Sequence, residues 1–261
     1  MSDLNRNTYA YGTGVARAGT AELDQGLRAF MLGVYNHMVL GLAITGLAAL
    51  GTFMLAVTND PSAAEAQLRG GMMLTPFGYA LFASPLKWVV MLAPLAAVFF
   101  LSFRIASMQP GAARALFLVY AALVGLSLSS IFLVYTGASI VRVFFITAAA
   151  FGALSLYGYT TRKDLTAMGS FLVMGLFGLI IAMLVNLFLQ SSALQFAVSV
   201  VGVLIFAGLT AWDTQRIKEM YYELDAGDVA ARKSILGALM LYLDFINMFV
   251  MLLQLFGQSR E

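Results

Sequence analysis

The stretch ILGALMLYLDFINMFVMLLQLFG, residues 235–257, contains a single charged residue, Asp244. At about 1.5 Å per residue, a helix of this length crosses the ~30 Å hydrocarbon core of a bilayer. A charged residue at the centre of such a helix costs about 2.5–3.5 kcal/mol on insertion scales, so these residues usually face the bundle interior. The stretch therefore predicts a membrane-spanning helix that carries a functional carboxyl group.

The composition of the whole chain supports a membrane protein. Hydrophobic residues make up 61% of the 261 residues and charged residues 11%, whereas soluble domains average roughly 45–50% and about 25%. The net charge of +2 is too small to indicate a nucleic-acid partner. Cysteine is absent, which excludes disulfides, thiolate metal sites and a cysteine nucleophile.

Charge-poor apolar runs predict seven membrane-spanning helices, because lipid cannot satisfy the open backbone groups of irregular chain. The runs lie near 31–57, 86–104, 115–135, 139–160, 168–190, 193–214 and 235–257. The predicted fold class is therefore an all-α polytopic membrane protein. Residues 1–27 are predicted to be a flexible tail, and 28–261 a single membrane domain. The segment GMMLTPFGYALFA, residues 71–83, is too short to span, so we expect an interfacial, re-entrant or lid-like piece.

The distribution of lysine and arginine predicts the orientation of the spans. With the N-terminus inside, eleven of the fifteen basic residues fall in inner segments and four in outer ones. We therefore expect a cytoplasmic N-terminus and an outer C-terminus.

Two aspartates are predicted to lie inside spans: Asp213 near the inner end of the sixth and Asp244 in the inner half of the seventh. With about 1.5 Å per residue, both fall at similar depths. Two carboxyl groups close together in a low-dielectric medium do not easily ionise together, so such a pair shares a proton and titrates as a unit. The sequence therefore predicts a proton-operated latch.

Other interpretations stay open at both positions. Asp213 is close enough in sequence to Arg216 and Lys218 to pair with either near the membrane interface. Asp244 also suits a hydrogen bond that only packs helices.

Three further polar residues have two interpretations each. Asn247 lies on the same helical face as Asp244 and could support that carboxyl group or a cation. Arg104 ends the second span and either extends to lipid headgroups or reaches inward to a carboxylate. His37 suits packing, although its ordinary pKa of about 6.5 is compatible with a pH sensor.

Two classes of membrane protein, retinal proteins with seven helices and intramembrane aspartyl proteases, are disfavoured because this chain lacks residues that they require. A retinal protein needs a lysine within a span, but the lysines lie at span edges or in loops: Lys87, Lys163, Lys218 and Lys233. Intramembrane aspartyl proteases carry Gly-x-Gly-Asp, where this chain has LYLD. No enzymatic activity and no cofactor are expected.

Three segments of the chain resemble the transmembrane Bax inhibitor motif family, especially its bacterial branch. They are GLTAWDTQRIKEMYYE (208–223), GALMLYLDFINMFVMLLQLFG (237–257) and SPLKWVVMLAPLAAVFFLSFRI (84–105). The resemblance runs from about residue 20 to the end and implies seven helices with the last one central and wrapped by the other six. Trp212 departs from the tyrosine of many relatives, and we expect it to alter packing around Asp213.

The resemblance also implies roles for individual residues. Asp213 and Asp244 match the family's di-aspartyl pH sensor, and Arg104 matches an arginine that latches to the first aspartate. Similar members carry out a pH-dependent calcium leak, eukaryotic relatives suppress cell death, and some bacterial ones modulate quality control by membrane-bound proteases.

Two functions are therefore expected of this chain. The first is a pH-gated calcium leak of a bacterial inner membrane, with Asp213 and Asp244 as gate and transient calcium ligands. The second is a non-conducting regulator that binds a membrane protease through the charged inner loop 215–234, for which a solvated connector is the simpler interpretation.

Overall fold

The protein is almost entirely helical. The computed structural model describes residues 7–68 and 71–260, with side chains from residue 25 onward except Ala106. The helices are α1 (Asn7–Ala56), α2 (Pro76–Phe82), α3 (Leu86–Arg104), α4 (Pro110–Leu128), α5 (Ile131–Val134), α6 (Gly137–Thr160), α7 (Thr166–Leu189), α8 (Ser192–Glu219) and α9 (Gly227–Phe256). Three two-residue strands, β1 (Val57–Thr58), β2 (Ala66–Gln67) and β3 (Met73–Leu74), form an antiparallel sheet in the order β1-β3-β2.

Seven segments of the described chain are helices long and apolar enough to cross a membrane, which confirms the predicted number. They are Gln25–Ala56, Leu86–Arg104, Pro110–Val134, Gly137–Thr160, Thr166–Leu189, Ser192–Glu219 and Gly227–Phe256. Each apolar run of the sequence corresponds to one of them.

The structure bears only partly on two predictions, those for the polar segment 1–27 and the short segment 71–83. Helix α1 begins at Asn7, so it includes most of the predicted tail 1–27, whose flexibility stays a prediction. Residues 71–83 contain β3 and the seven-residue α2, which begins with Pro76 after a Thr75 cap. Helix α2 packs against α1 and α3, and its interfacial, re-entrant or lid-like character stays a prediction.

Helix α9 is the most buried of the seven. In its most apolar window 67% of residues are buried, against 6% for α3 and α7. It packs against α1, α4, α6 and α8, whereas α3 packs mainly on α4 and α7 mainly on α8. Helix α9 is therefore the most enclosed span, and its role as a central helix wrapped by the other six stays a prediction.

Glycines let neighbouring helices pack closely. A Cβ atom on Gly158 of α6 would collide with the backbone of Ala211 on α8, and one on Gly169 of α7 would collide with the Trp212 ring. Close approach through small residues is a common way for membrane helices to gain packing energy. The indole of Trp212 therefore packs toward α7.

A buried hydroxyl pair joins α9 to α1. The Tyr242 hydroxyl is 2.6 Å from Thr45 Oγ1, and Thr45 Oγ1 lies 2.9 Å from the carbonyl oxygen of Ala121 on α4. The Thr45 hydroxyl can donate to the carbonyl while it accepts from Tyr242, so three helices are linked.

We expect Tyr242→Phe to lower the free energy of unfolding by about 1 kcal/mol, the usual scale of an interhelical hydrogen bond in a membrane. The measurement is unfolding of the purified protein in detergent. Tyr157→Phe is the control, because the Tyr157 side chain is 48% exposed. Equal stability of the Tyr242→Phe variant and the unsubstituted protein would contradict the assigned hydrogen bond.

A C-terminal strap, residues 257–260, ties the end of α9 to the α5–α6 turn. The amide of Thr136 donates to Gln258 O at 3.0 Å, and the amide of Arg260 donates to Val134 O at 2.8 Å. The amide of Gln258 donates to Ser139 Oγ at 2.9 Å. The end of α9 is thus held by hydrogen bonds to α5 and α6.

A network of amide side chains holds the same end of the bundle together. Asn186 Nδ2 donates to Gln195 Oε1 at 3.1 Å, and Gln195 Nε2 donates to Gln254 Oε1 at 2.7 Å. Ser199 Oγ also donates to Gln254 Oε1 at 2.8 Å. The network connects α7, α8 and α9.

Candidate functional site

The carboxyl groups of Asp213 on α8 and Asp244 on α9 face each other in the protein interior. They lie within hydrogen-bonding reach of one another. The residues are only 9% and 5% exposed. The sequence-based prediction that these two aspartates come together is therefore matched by the geometry.

Each carboxyl group leaves one oxygen without a protein donor. Asp213 Oδ1 and Asp244 Oδ2 are fully buried and lack a hydrogen-bond partner within the described part of the chain. Buried polar atoms are rarely left unpaired, because a polar atom that loses its hydrogen bonds to water and gains none in the protein costs about 1–3 kcal/mol. A proton held between the two carboxyl groups supplies a donor, so this arrangement suits one proton per pair.

Arg216 lies about one turn after Asp213 on α8. Arg216 interacts electrostatically with Asp213, and its guanidinium lies 5.4 Å from the centre of the Trp212 ring. Within the described ranges the one ion pair closer than 4.0 Å joins Lys233 and Asp225 at 2.6 Å. Asp213 is therefore influenced by Arg216 without a direct salt bridge to it.

Neither of the two supporting residues predicted from the sequence forms a hydrogen bond or an ion pair with the carboxyl pair among the described side chains. Arg104 is exposed and forms no ion pair with a described acid. Asn247 Nδ2 donates to the carbonyl oxygen of Leu243 on its own helix at 2.8 Å. The latch role of Arg104 and the supporting role of Asn247 stay predictions.

A chain of hydroxyl groups, not predicted from the sequence, begins at Thr214, the residue after Asp213. Tyr35 Oη lies 2.6 Å from Ser155 Oγ, which lies 2.9 Å from Thr214 Oγ1. The Thr214 hydroxyl is also 2.7 Å from the carbonyl oxygen of Thr210. The three side chains connect α1, α6 and α8. Hydroxyl residues inside apolar runs were the available signal, but their pairings join residues that are 120 and 59 positions apart in the sequence.

The side chains that follow Asp213 hold the α6–α7 connection. Gln215 Oε1 accepts from the amide of Leu165, and Gln215 Nε2 donates to Lys163 O, both at 2.8 Å. Lys218 Nζ donates to Tyr159 O at 2.9 Å. The end of α8 is therefore fixed to α6 and α7. Lys218 is used in this contact rather than in an ion pair with Asp213.

His37 lies on α1 with its ring against the helix backbone. Its Nδ1 donates to the carbonyl oxygen of Gly33 at 2.7 Å. This contact suits a packing role, and the alternative role as a pH sensor stays a prediction.

The carboxyl pair by itself is a poor resident metal site. No group of three or more His, Cys, Asp and Glu side chains that could hold a metal ion occurs among the described residues. Calcium takes six to eight oxygen ligands in a stable protein site. Two carboxylates can attract such a cation as it passes but offer too few oxygens to retain it.

Comparison with known proteins connects this geometry to a family. The family model described as "Inhibitor of apoptosis-promoting Bax1" matches residues 27–261. The uncharacterized protein RP147 of Rickettsia prowazekii is 48% identical over 240 residues, covering 91% of this chain and 93% of its own. An uncharacterized Caulobacter vibrioides protein is 46% identical over 263 residues, with both chains fully covered.

A third relative has a more informative name. The inner membrane protein YbhL of Escherichia coli K12 is 44% identical over 237 residues, covering 90% of this chain and 94% of its own. The range that the family model matches, residues 27–261, contains both Asp213 and Asp244. This chain is an integral membrane protein of the Bax inhibitor family.

Proposed function

We propose that the protein is a pH-sensitive calcium leak channel gated by Asp213 and Asp244. The observation that carries the proposal is the buried pair of facing carboxyl groups between α8 and α9. Similarity to the Escherichia coli inner membrane protein supports placement in a bacterial inner membrane. The excess of basic residues at one end of the bundle supports a cytoplasmic N-terminus.

The gate would respond to loss of the shared proton. With a proton present, the two carboxyl groups hydrogen-bond and hold α9 against α8. Without it, two negative charges face each other in a medium that screens them poorly. Repulsion would then shift α9 and present oxygen ligands to a hard cation such as calcium. The flux is therefore expected to rise with pH.

Loop carboxylates are poor candidates for the pH response. The hydroxyl and amide of Ser62 hold the pKa of the Asp60 carboxyl below its ordinary value, and Thr166 does the same for Asp164. Both groups therefore stay ionised between pH 5 and 8. Neither of these two loop carboxyl groups therefore changes its charge in the pH range over which the proposed gate responds.

The test is calcium flux through the purified protein in liposomes between pH 5 and 8. We expect flux above that of empty liposomes, rising as pH increases. Arg104→Ala is expected to raise the flux further at pH 8, because a latch on ionised Asp213 is removed. Absence of flux at every pH would reject the channel.

The second candidate function is a non-conducting regulator that binds a membrane protease. It is favoured by two exposed apolar side chains in the connection between α8 and α9, Tyr222 at 58% and Leu224 at 79%. The Lys233–Asp225 ion pair restrains this connection. Co-purification of a protease that is lost in Leu224→Ser, with no calcium flux from the pure protein, would favour this function.

A further inference from the structure

A long groove lies between α1 and α6, separate from the aspartate pair. Its volume is about 1170 Å³, which is above the usual ~300–1,000 Å³ of small-molecule pockets. Helix α1 packs against α4 and α9, and α6 packs against α8 and α9, so the groove separates two helices that share a neighbour. Phe245 of α9, which is 2% exposed, contributes to its base.

The groove opens toward the surface that the bilayer covers. Leu47 and Leu156 line opposite walls and are 71% and 63% exposed. Along α1 the lining runs from Arg28 to Leu50, about 33 Å at the helical rise, close to the ~30 Å of the hydrocarbon core. An unfilled apolar groove forfeits dispersion contacts, and alkyl chains are the material available in a membrane.

The polarity of the lining changes from one end to the other. The polar lining residues are Arg28, Tyr35, Ser155 and Tyr159, which all lie toward the end of the bundle where α1 enters the span. The opposite end is lined by apolar residues such as Leu47, Leu50 and Phe144. This gradient matches an amphiphile with one polar end and one apolar tail.

The polar end carries a positive charge. Arg28 is exposed and takes no part in the one ion pair found among the described side chains. Tyr35 and Ser155 satisfy each other. Of the two polar lining residues that are left, Tyr159 and Arg28, Arg28 is the charged one and can receive a charged headgroup. Arginine binds phosphate through paired N–H donors, which are stronger than neutral hydrogen bonds.

We propose that the α1–α6 groove binds one anionic phospholipid, with an acyl chain along the apolar wall and the headgroup phosphate on Arg28. The lipid comes from the leaflet at the basic end of the bundle. It fills the gap between α1 and α6 and rests against Phe245 on α9, the same helix that carries Asp244. The site is independent of whether the protein conducts ions.

Two glycines in the groove allow it to be blocked without disturbing the bundle. Gly46 and Gly152 both line the groove, and a Cβ atom on either meets no atom within 4 Å. A leucine at position 152 therefore extends into space that the lipid would occupy. Gly178 on α7 is equally open and exposed but lies outside the groove lining, so Gly178→Leu is the matched control.

The experiment is native mass spectrometry of the purified full-length protein titrated with dioleoyl phosphatidylglycerol or dioleoyl phosphatidylcholine, which share acyl chains. We expect one phosphatidylglycerol to bind at least about tenfold more tightly than phosphatidylcholine, the scale of one hydrogen bond to a charged group. Arg28→Gln is expected to remove this preference. Arg114→Gln, an exposed arginine on α4 outside the groove lining, should retain it.

The glycine variants test the acyl-chain part of the site. Gly152→Leu is expected to weaken binding of both lipids severalfold, whereas Gly178→Leu leaves it unchanged. Circular dichroism and a single monodisperse peak establish that each variant is folded. Equal binding of the two lipids, or unchanged binding in Arg28→Gln or Gly152→Leu, would refute the proposal. Complete displacement by inorganic phosphate would instead assign Arg28 to a soluble anion, and a change only in dimer content would assign the groove to a second copy.

Discussion

Replacing Asp244 by Asn is expected to flatten the pH profile of calcium flux. Between pH 5 and 8 the flux should change at least about tenfold in the unsubstituted protein but less than about twofold in the variant. Two unit charges about 4 Å apart at an effective dielectric of about 20 repel by about 4 kcal/mol. A shift of only about 1.4 kcal/mol changes a two-state equilibrium tenfold. The repulsion that follows loss of the shared proton is thus strong enough to drive a gate. The asparagine amide has no such proton to lose, so the variant should not respond to pH.

The chemical change in this variant is small in every respect except charge. Asparagine has nearly the same size as aspartate and can donate one hydrogen bond to Asp213, so the closed contact persists at every pH. Asp213→Asn is expected to have the same effect, because the pair titrates as a unit.

The matched control is Asp228→Asn, the same substitution at an exposed position on the same helix, which should leave the pH profile unchanged. Flux is measured in liposomes under identical calcium gradients. An Asp244→Asn channel with the slope of the unsubstituted protein would remove the carboxyl pair as the sensor.

The largest expected loss of stability is in Gly158→Val. A Cβ atom at residue 158 collides with the backbone of Ala211, and a backbone cannot move aside as a flexible side chain can. Overpacking typically costs 1–3 kcal/mol, occasionally more, and a β-branched residue adds two methyl groups at the closest point between α6 and α8. We therefore expect destabilisation of about 3 kcal/mol, visible as a lower unfolding midpoint and poor recovery in detergent.

Gly152→Val provides the control for this prediction, because residue 152 lies on the same helix with open space at its Cβ position. Both variants carry the same side chain and the same change in helix propensity. Equal unfolding midpoints for the two would contradict the close approach of α6 and α8.

The number of spans and the aspartate pair could be predicted from the sequence, because placing a charge in lipid is costly. That cost makes the seven charge-poor runs visible, and it singles out Asp213 and Asp244 among thirteen acidic residues. The depth of each aspartate follows from the helical rise, which explains why their proximity could be expected.

Features that depend on which helices are neighbours could not be predicted in this way. Hydropathy does not specify that α1 packs on α4 and α9 while leaving a groove beside α6. The hydroxyl chain from Tyr35 to Thr214 joins residues of three separate spans, and nothing in any one span indicates its partners. The pairing of Asn247 with its own helix was equally hidden, because an amide in a span can hydrogen-bond in several directions.

The strap after α9 has a mechanical consequence. Residues 257–260 fasten one end of α9 to the α5–α6 turn, so that end can act as a pivot while the rest of the helix swings. Asp244 lies about 13 residues from it, roughly 20 Å along the axis at the helical rise. A tilt of about 5° would then displace the carboxyl group by roughly 2 Å, enough to break a hydrogen bond, whose length varies over only a few tenths of an ångström. Helix α9 would therefore pivot near one face of the membrane, while the part that carries Asp244, near the opposite face, would move the most.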